Sequence, residues 1–168
     1  MSKKQLFDDT DADQKFTTFD DRIKIEDEII LPSLQKEFPE LYVNTMQGQG
    51  DKYDAWHLPT KRTFQLKTDN RCKDTGRIAI DDKLDLVRDE VDYLMLNNPK
   101  IPNELGEILF ISREKWKQMK EREQLVSIPG FPGFKVIRRE RVILYSDGIY
   151  DSYNHQWVQI PKELQFLQ

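Results

Sequence analysis
The chain predicts an α/β fold of the α+β kind: one helix, a meander of strands, then mixed helix and strand. Three features carry that expectation. Ile23, Ile30, Leu34 and Phe38 fall on one helical face. Strand-length runs rich in β-branched and aromatic residues follow, among them TFQLKT at 63–68 and EILFI at 107–111. Turn residues punctuate them, in QGQG at 47–50, PTKR at 59–62 and IPGFPGF at 128–134.

Residues 1–18 are polar, with Asp8, Asp9, Asp11 and Asp13 close together, and read as a flexible acidic arm. Residues 19–168 read as a single domain, with a core over 20–125 and a C-terminal extension over 126–168. Asp20 or Asp21 caps the first helix, and Pro32 inside its run either kinks it or opens a second one. At about 3.6 residues per turn, Glu26 lies within about 60° of the apolar stripe, at the edge of the buried face. Strands are expected over 41–46, 53–58 and 63–68, the last two joined as a hairpin, and over 77–81. The run VDYLML at 91–96 reads as a buried strand, as does EILFI. Ser112 caps a helix over 113–123 that carries Trp116 and Met119. Residues 135–145 alternate as a strand, and 148–167 read as short pieces.

Composition narrows the function classes. The 168 residues carry 26 Lys+Arg against 30 Asp+Glu, a net charge of -4. The acidity concentrates in residues 1–30, so a positive groove in the middle of the chain stays open. No run approaches the ~20 apolar residues of a membrane span, and the N-terminus has no apolar signal segment. A soluble, cytoplasmic protein is the expectation. Cys72 is the single cysteine, which excludes an internal disulfide. With only His57 and His155 beside it, no Cys/His zinc site can be built, so any metal is a hard cation on oxygen ligands.

The chemistry-bearing stretch is DKYDAWHLPTKRTFQLKTDN at 51–70. On a strand, Gln65 and Lys67 point to one face while Phe64 and Leu66 point to the other. A hairpin brings Asp54 beside them, so a carboxylate, an amide oxygen and an ammonium converge at one sheet end. Phosphodiester hydrolysis suits that set. A carboxylate and a second oxygen hold Mg²⁺, whose charge stabilises the developing negative charge and acidifies water, and the lysine orients or activates the attacking water. Asp51 is the rival metal position, although after QGQG it falls in a turn.

At these residues the chain resembles the PD-(D/E)xK nuclease superfamily, with its restriction-endonuclease-like core of a central mixed sheet flanked by helices. Asp54 matches the first Asp and Lys67 the lysine, ten residues separate Asp54 from Gln65, and Gln65 stands where the family has an acidic residue. That departure lowers the charge at the ion. Gln does occur at this place in homing-endonuclease-like members, and the segments at 68–70 and 75–81 resemble phage-type members. The resemblance covers about residues 20–112. It implies a Mg²⁺- or Mn²⁺-dependent DNA endonuclease in which Asp54, Gln65 and the Leu66 carbonyl bind the ion and Lys67 works on the water. Glu26, or alternatively Glu28, would supply a further acid from the N-terminal helix. It also implies duplex or branched DNA as partner, and a homodimer if both strands are cut.

Further basic residues are candidates for phosphate contact: Lys61 and Arg62 at the hairpin tip, Arg71, Lys73 and Arg77 after the QxK strand, and Lys135, Arg139 and Arg141 on one strand face. Arg71, Lys73 and Arg77 are the best placed; Lys61 and Arg62 also read as keeping the turn soluble, and Lys135, Arg139 and Arg141 as a solvent-facing strand side. Trp116 and Trp157 read as packing residues, and Cys72 lacks a histidine partner for nucleophilic catalysis. Two rivals stand beside the nuclease. One is the same fold with a weakened site, binding nucleic acid or a protein without cleaving. The other is a small phage structural or inhibitor protein.

Overall fold
A computed structural model describes residues 26–44 and 53–168. The acidic arm, the start of the first helix and the QGQG loop with Asp51 lie outside the described residues. A π-helical turn at Glu26–Ile30 runs into helix α1 (Leu31–Glu37). Pro32 occupies the first turn of α1, where its missing N–H removes a donor that has no intrahelical partner. Of the two roles open to this proline, starting a second helical segment is the one observed.

Among the described residues ten strands follow: β1 (Tyr42–Val43), β2 (Ala55–His57), β3 (Arg62–Thr68), β4 (Arg77–Asp81), β5 (Tyr93–Asn98), β6 (Glu107–Ser112), β7 (Val126–Ser127), β8 (Phe134–Arg138), β9 (Gly148–Asp151) and β10 (Gln156–Gln159). Seven form a mixed sheet in the order β1-β2-β3-β5-β6-β9-β10, antiparallel throughout except at β3 and β5. Parallel neighbours need a crossover, and residues 69–92 supply it with the short helix α2 (Cys72–Thr75) and β4. There β4 leaves the main sheet and pairs with β8, which pairs with β7, as a second three-stranded sheet.

Each face of the large sheet carries its own core. On one, α1 and the C-terminal 3-10 helix (Lys162–Leu167) bring Leu31, Leu34, Phe38, Leu164 and Leu167 onto Phe64, Leu66, Met95 and Phe110. On the other, Ile78, Ile80 and Ile137 of the small sheet cover Leu94, Leu96, Leu109 and Ile111, with Trp116 and Met119 of helix α3 (Arg113–Arg122). Strands β5 and β6 are thus buried on both sides, which is why YLML and EILFI are continuously apolar. By contrast, β3 alternates. Phe64 and Leu66 are buried, whereas Gln65 is half-buried and Lys67 exposed, because the second layer does not cover that part of the sheet.

Ser112 caps α3 by accepting from the Lys115 amide at 3.3 Å, as its position suggested. Trp116 and Trp157 are packing residues. The first donates to the Leu84 carbonyl, and the second lies among Phe38, Phe110 and Tyr150. Residues 126–168 supply strands to both sheets, with β9 and β10 extending the large one beyond β6. Among the described residues no helix is long and apolar enough to cross a membrane.

One expectation is corrected. The strand over 135–145 ends at Arg138, and residues Arg139–Ile143 form helix α4. Strand alternation would bury several side chains of RERVI, but only Val142 is buried, against the second core. Lys135, Arg139 and Arg141 therefore share no strand face. Arg139 forms a two-armed ion pair with Glu107 of β6, and Arg141 does the same with Glu123 at 2.8 Å. Both guanidinium groups are thus paired with carboxylates, Arg141 at the surface.

Glu123 also accepts from the Tyr145 hydroxyl at 2.7 Å. The Arg141 guanidinium, then that hydroxyl, hold the Glu123 carboxyl down to about 2 from the ordinary 4.5. A depressed carboxylate stabilises the fold above its unfolded pKa and loses that contribution as pH falls through the folded one. Glu123→Gln is expected to lower the urea midpoint at pH 6, with the gap to wild type closing as pH falls from 4.5 towards 2. A gap independent of pH would show that the ion pair contributes nothing.

Candidate active site
The hairpin of β2 and β3 pairs Ala55 with Phe64, Trp56 with Thr63 and His57 with Arg62. One step beyond, the Asp54 amide donates at 3.0 Å to the carbonyl of Phe64, the residue that pairs with Ala55, so the regular register of the hairpin ends at Ala55. There β2 ends, and the next β3 amide on that edge, Leu66, would lack a partner. The Asp54 carboxylate takes its place: Oδ2 accepts from the Leu66 amide at 2.7 Å. Asp54 is only 8% exposed. A strand residue's N–H and C=O leave on the same side, so the Leu66 carbonyl opens into the same gap past the end of β2.

Strand parity sets Gln65 and Lys67 on one face of β3, opposite the face that buries Phe64 and Leu66. Of the group expected from the sequence, Gln65 and Lys67 share that face, and the Asp54 carboxylate meets the strand between them at the Leu66 amide. Register with β5 places Leu94 beside Gln65 and Leu96 beside Lys67, giving the polar group an apolar flank.

The oxygen set, one carboxylate, one side-chain amide and one backbone carbonyl, fits a hard divalent cation of the Mg²⁺ type. Such an ion is commonly held by one or two carboxylates, keeps several waters and takes further oxygens from a phosphate. Among the described residues no group of three or more His, Cys, Asp or Glu could hold a metal, so the set relies on neutral oxygens. The side chain of Glu26 and all of Asp51 lie outside the described residues. Glu28 is exposed.

Asp69 organises the chain just beyond β3. Its Oδ1 accepts from the amides of Arg71 and Cys72 at 2.9 and 3.1 Å, and its Oδ2 from Ala79 at 2.8 Å. One carboxylate thereby ties the end of β3 to the start of α2 and to β4. Burial pushes its pKa up against the pull of those three N–H groups. The motif does not single Asp69 out for this role. An Asp two or three residues before a short helix is a capping signal, but its third bond joins elements ten residues apart. Asn97, wholly buried, completes the frame by accepting from the Gly106 amide at 2.8 Å and donating to the Glu104 carbonyl at 2.8 Å.

The candidate phosphate contacts divide. Lys61, exposed at φ 60°, and Arg62 sit at the hairpin tip; Arg62 is three residues, or about 10 Å, along β3 from Gln65. Arg71 is half-buried at the start of α2, and Lys73 pairs with Asp74 at 3.4 Å. Arg77 is exposed on β4, directly across from exposed Arg138 of β8. Like charges on a cross-strand pair repel, and neither guanidinium has a carboxylate partner among the described residues. Arg138 was not among the candidates, because its register opposite Arg77 joins residues about sixty apart. Burial drives the Cys72 thiol up to about 12, which removes the thiolate a cysteine nucleophile needs.

A cluster of rings borders the group. Trp56, two residues from Asp54 in the chain, stacks on its cross-strand neighbour Tyr42 at 4.4 Å and 27°. Tyr53 meets Trp56 edge-on at 6.2 Å. Compared with known proteins, the chain matches no family model, no curated protein and no solved structure.

Proposed function
We propose that this chain is a divalent-metal-dependent DNA endonuclease with a restriction-endonuclease-like core. The observation that carries the reading is the Asp54 carboxylate, seated on the Leu66 amide between Gln65 and Lys67 of β3. The order of elements supports it: a helix, a hairpin bearing the acidic residue, the QLK strand and a central mixed sheet with helices beside it.

Hydrolysis adds water across one P–O bond and leaves a phosphate monoester and a hydroxyl. When bound by Asp54, Gln65 and the Leu66 carbonyl, a Mg²⁺ or Mn²⁺ ion would supply positive charge against the phosphoryl oxygens and acidify water. Lys67, exposed on the same face, donates to the phosphate or to the attacking water and opposes the charge that builds on phosphorus. The Leu94 and Leu96 flank keeps bulk water from one side and strengthens those interactions. Arg77 and Arg138 offer two adjacent guanidinium groups to the DNA backbone. A cut through both strands needs two such sites, and a homodimer supplies them.

The test is incubation with supercoiled plasmid and with a branched DNA, in Mg²⁺, Mn²⁺ or chelator. Nicking or linearisation that requires metal is expected. A second reading, a non-cleaving module of the same fold, is favoured by neutral Gln65 and by the engagement of Asp54 with a backbone amide. It predicts no cleavage of either substrate and no change in melting temperature with Mn²⁺.

A further inference from the structure
We infer that Tyr42 and Trp56 form a stacking platform for an unpaired base, so that the substrate is DNA with a single-stranded or splayed nucleotide at the cleavage point. The inference rests on the nuclease reading for the identity of the ligand and on a separate set of residues for its shape.

Three facts argue for it. The Tyr42–Trp56 stack is built from cross-strand neighbours on β1 and β2, and Tyr42 remains 53% exposed, so the outer face of its ring is open to solvent. The platform is also held in place. Gln35 of α1 donates to the Leu41 carbonyl at 2.7 Å and accepts from the Val43 amide at 3.1 Å, which clamps the backbone on either side of Tyr42. Tyr53 fixes the Trp56 plane from its edge.

The third fact is order and charge along one face. The Tyr42–Trp56–Thr63 row comes first, Gln65 two residues further along β3, and Lys67 two residues beyond that. Rows two residues apart are separated by about 7 Å. Lys67 is exposed and has no ion pair among the described residues. The face thus presents a π-surface, then the Gln65 amide, then a cation. A nucleotide presents a base with a π-face joined through its sugar to an anionic phosphate, and it complements this order at every point. In a paired duplex both faces of a base are covered by its neighbours, so only an unpaired base can add itself to the Tyr42 ring.

The test uses oligonucleotides carrying the fluorescent base 2-aminopurine, with chelator present so that cleavage does not enter. Wild type, Tyr42→Ala, Tyr42→Leu and Tyr42→Phe are compared on a single-stranded overhang and on the same base inside a duplex. Tyr42→Leu keeps apolar cover on Trp56 while removing the ring, which guards against a folding defect in the Ala variant. Stacking should quench the overhang signal far more than the duplex signal. Loss of the ring in Ala and Leu should weaken overhang binding about tenfold or more, and Phe should restore it. Equal binding by all four proteins, equal quenching of overhang and duplex, or no quenching would overturn the platform. So would sedimentation showing that Tyr42→Ala dissociates a dimer, since that face would then join two copies. Ring-dependent quenching without cleavage in metal keeps the platform and defeats the nuclease reading. Metal-dependent cleavage that ignores Tyr42 does the reverse.

Discussion

Asp54→Asn should fold like wild type and lose metal-dependent cleavage by about a thousandfold. The substitution separates two roles that one carboxylate holds. Its Oδ2 accepts the Leu66 amide at 2.7 Å, and an asparagine carbonyl can accept the same bond. What Asn cannot supply is negative charge for a cation. Asp54→Ala removes both and also orphans the amide at the end of β2, at a cost of about 1–3 kcal/mol in stability. Comparing the two variants by melting and by plasmid cleavage therefore distinguishes a chemical group from a strand cap. Lys67→Ala, on an exposed side chain, should leave melting unchanged and lower cleavage by about a hundredfold or more, the usual scale for removing one donor to a developing oxyanion. Gln65→Glu should tighten Mn²⁺ binding by adding the missing charge. If Asp54→Asn cleaves as wild type does, the site is elsewhere.

Asp69→Ala is expected to have the largest effect on stability, about 2–4 kcal/mol. Three backbone amides, of Arg71, Cys72 and Ala79, lose their acceptor together in a buried setting, and each such loss costs about 1–3 kcal/mol. Relief from burying the charge offsets part of the sum, consistent with the upward push that burial gives its pKa. Asp69→Asn should fall between. Its oxygen can keep the two amides at the start of α2, while its NH₂ then faces the Ala79 amide, donor against donor. Urea unfolding of the three proteins reads this order directly. If Asp69→Ala unfolds at the wild-type midpoint, the hub has no energetic role. A functional consequence accompanies the stability loss. Because Asp69 joins β3 to β4, it sets where Arg77 and Arg138 stand relative to Lys67, so Asp69→Asn should also weaken binding to DNA.

The central strands were legible because both of their faces are buried. YLML and EILFI have no polar interruption, and that pattern has few solutions at strand length. The hairpin was legible for the opposite reason. Only one face of β3 is covered, so TFQLKT alternates, and alternation alone puts Gln65 beside Lys67 and away from the core. RERVI was not legible. Its alternation with KVI imitated a strand, while a single buried valine, a bond from the Arg139 amide to the Gly76 carbonyl and two long-range ion pairs make it a helix. None of those contacts is local, and periodicity reports only local order.

The sequence by itself determined the class of fold, the solvated and buried faces of β3, and the three residue types at the proposed site, since strand geometry follows from the chain's own repeat of two. Tertiary structure alone decided the rest. It made Asp54 the cap of the Leu66 amide, Asp69 the joint of three elements, Arg138 the neighbour of Arg77 and Tyr42 the partner of Trp56. Each of these pairs residues distant in the chain through register or crossover. Register is settled by the packing of whole sheets against two cores, which no short stretch of sequence contains.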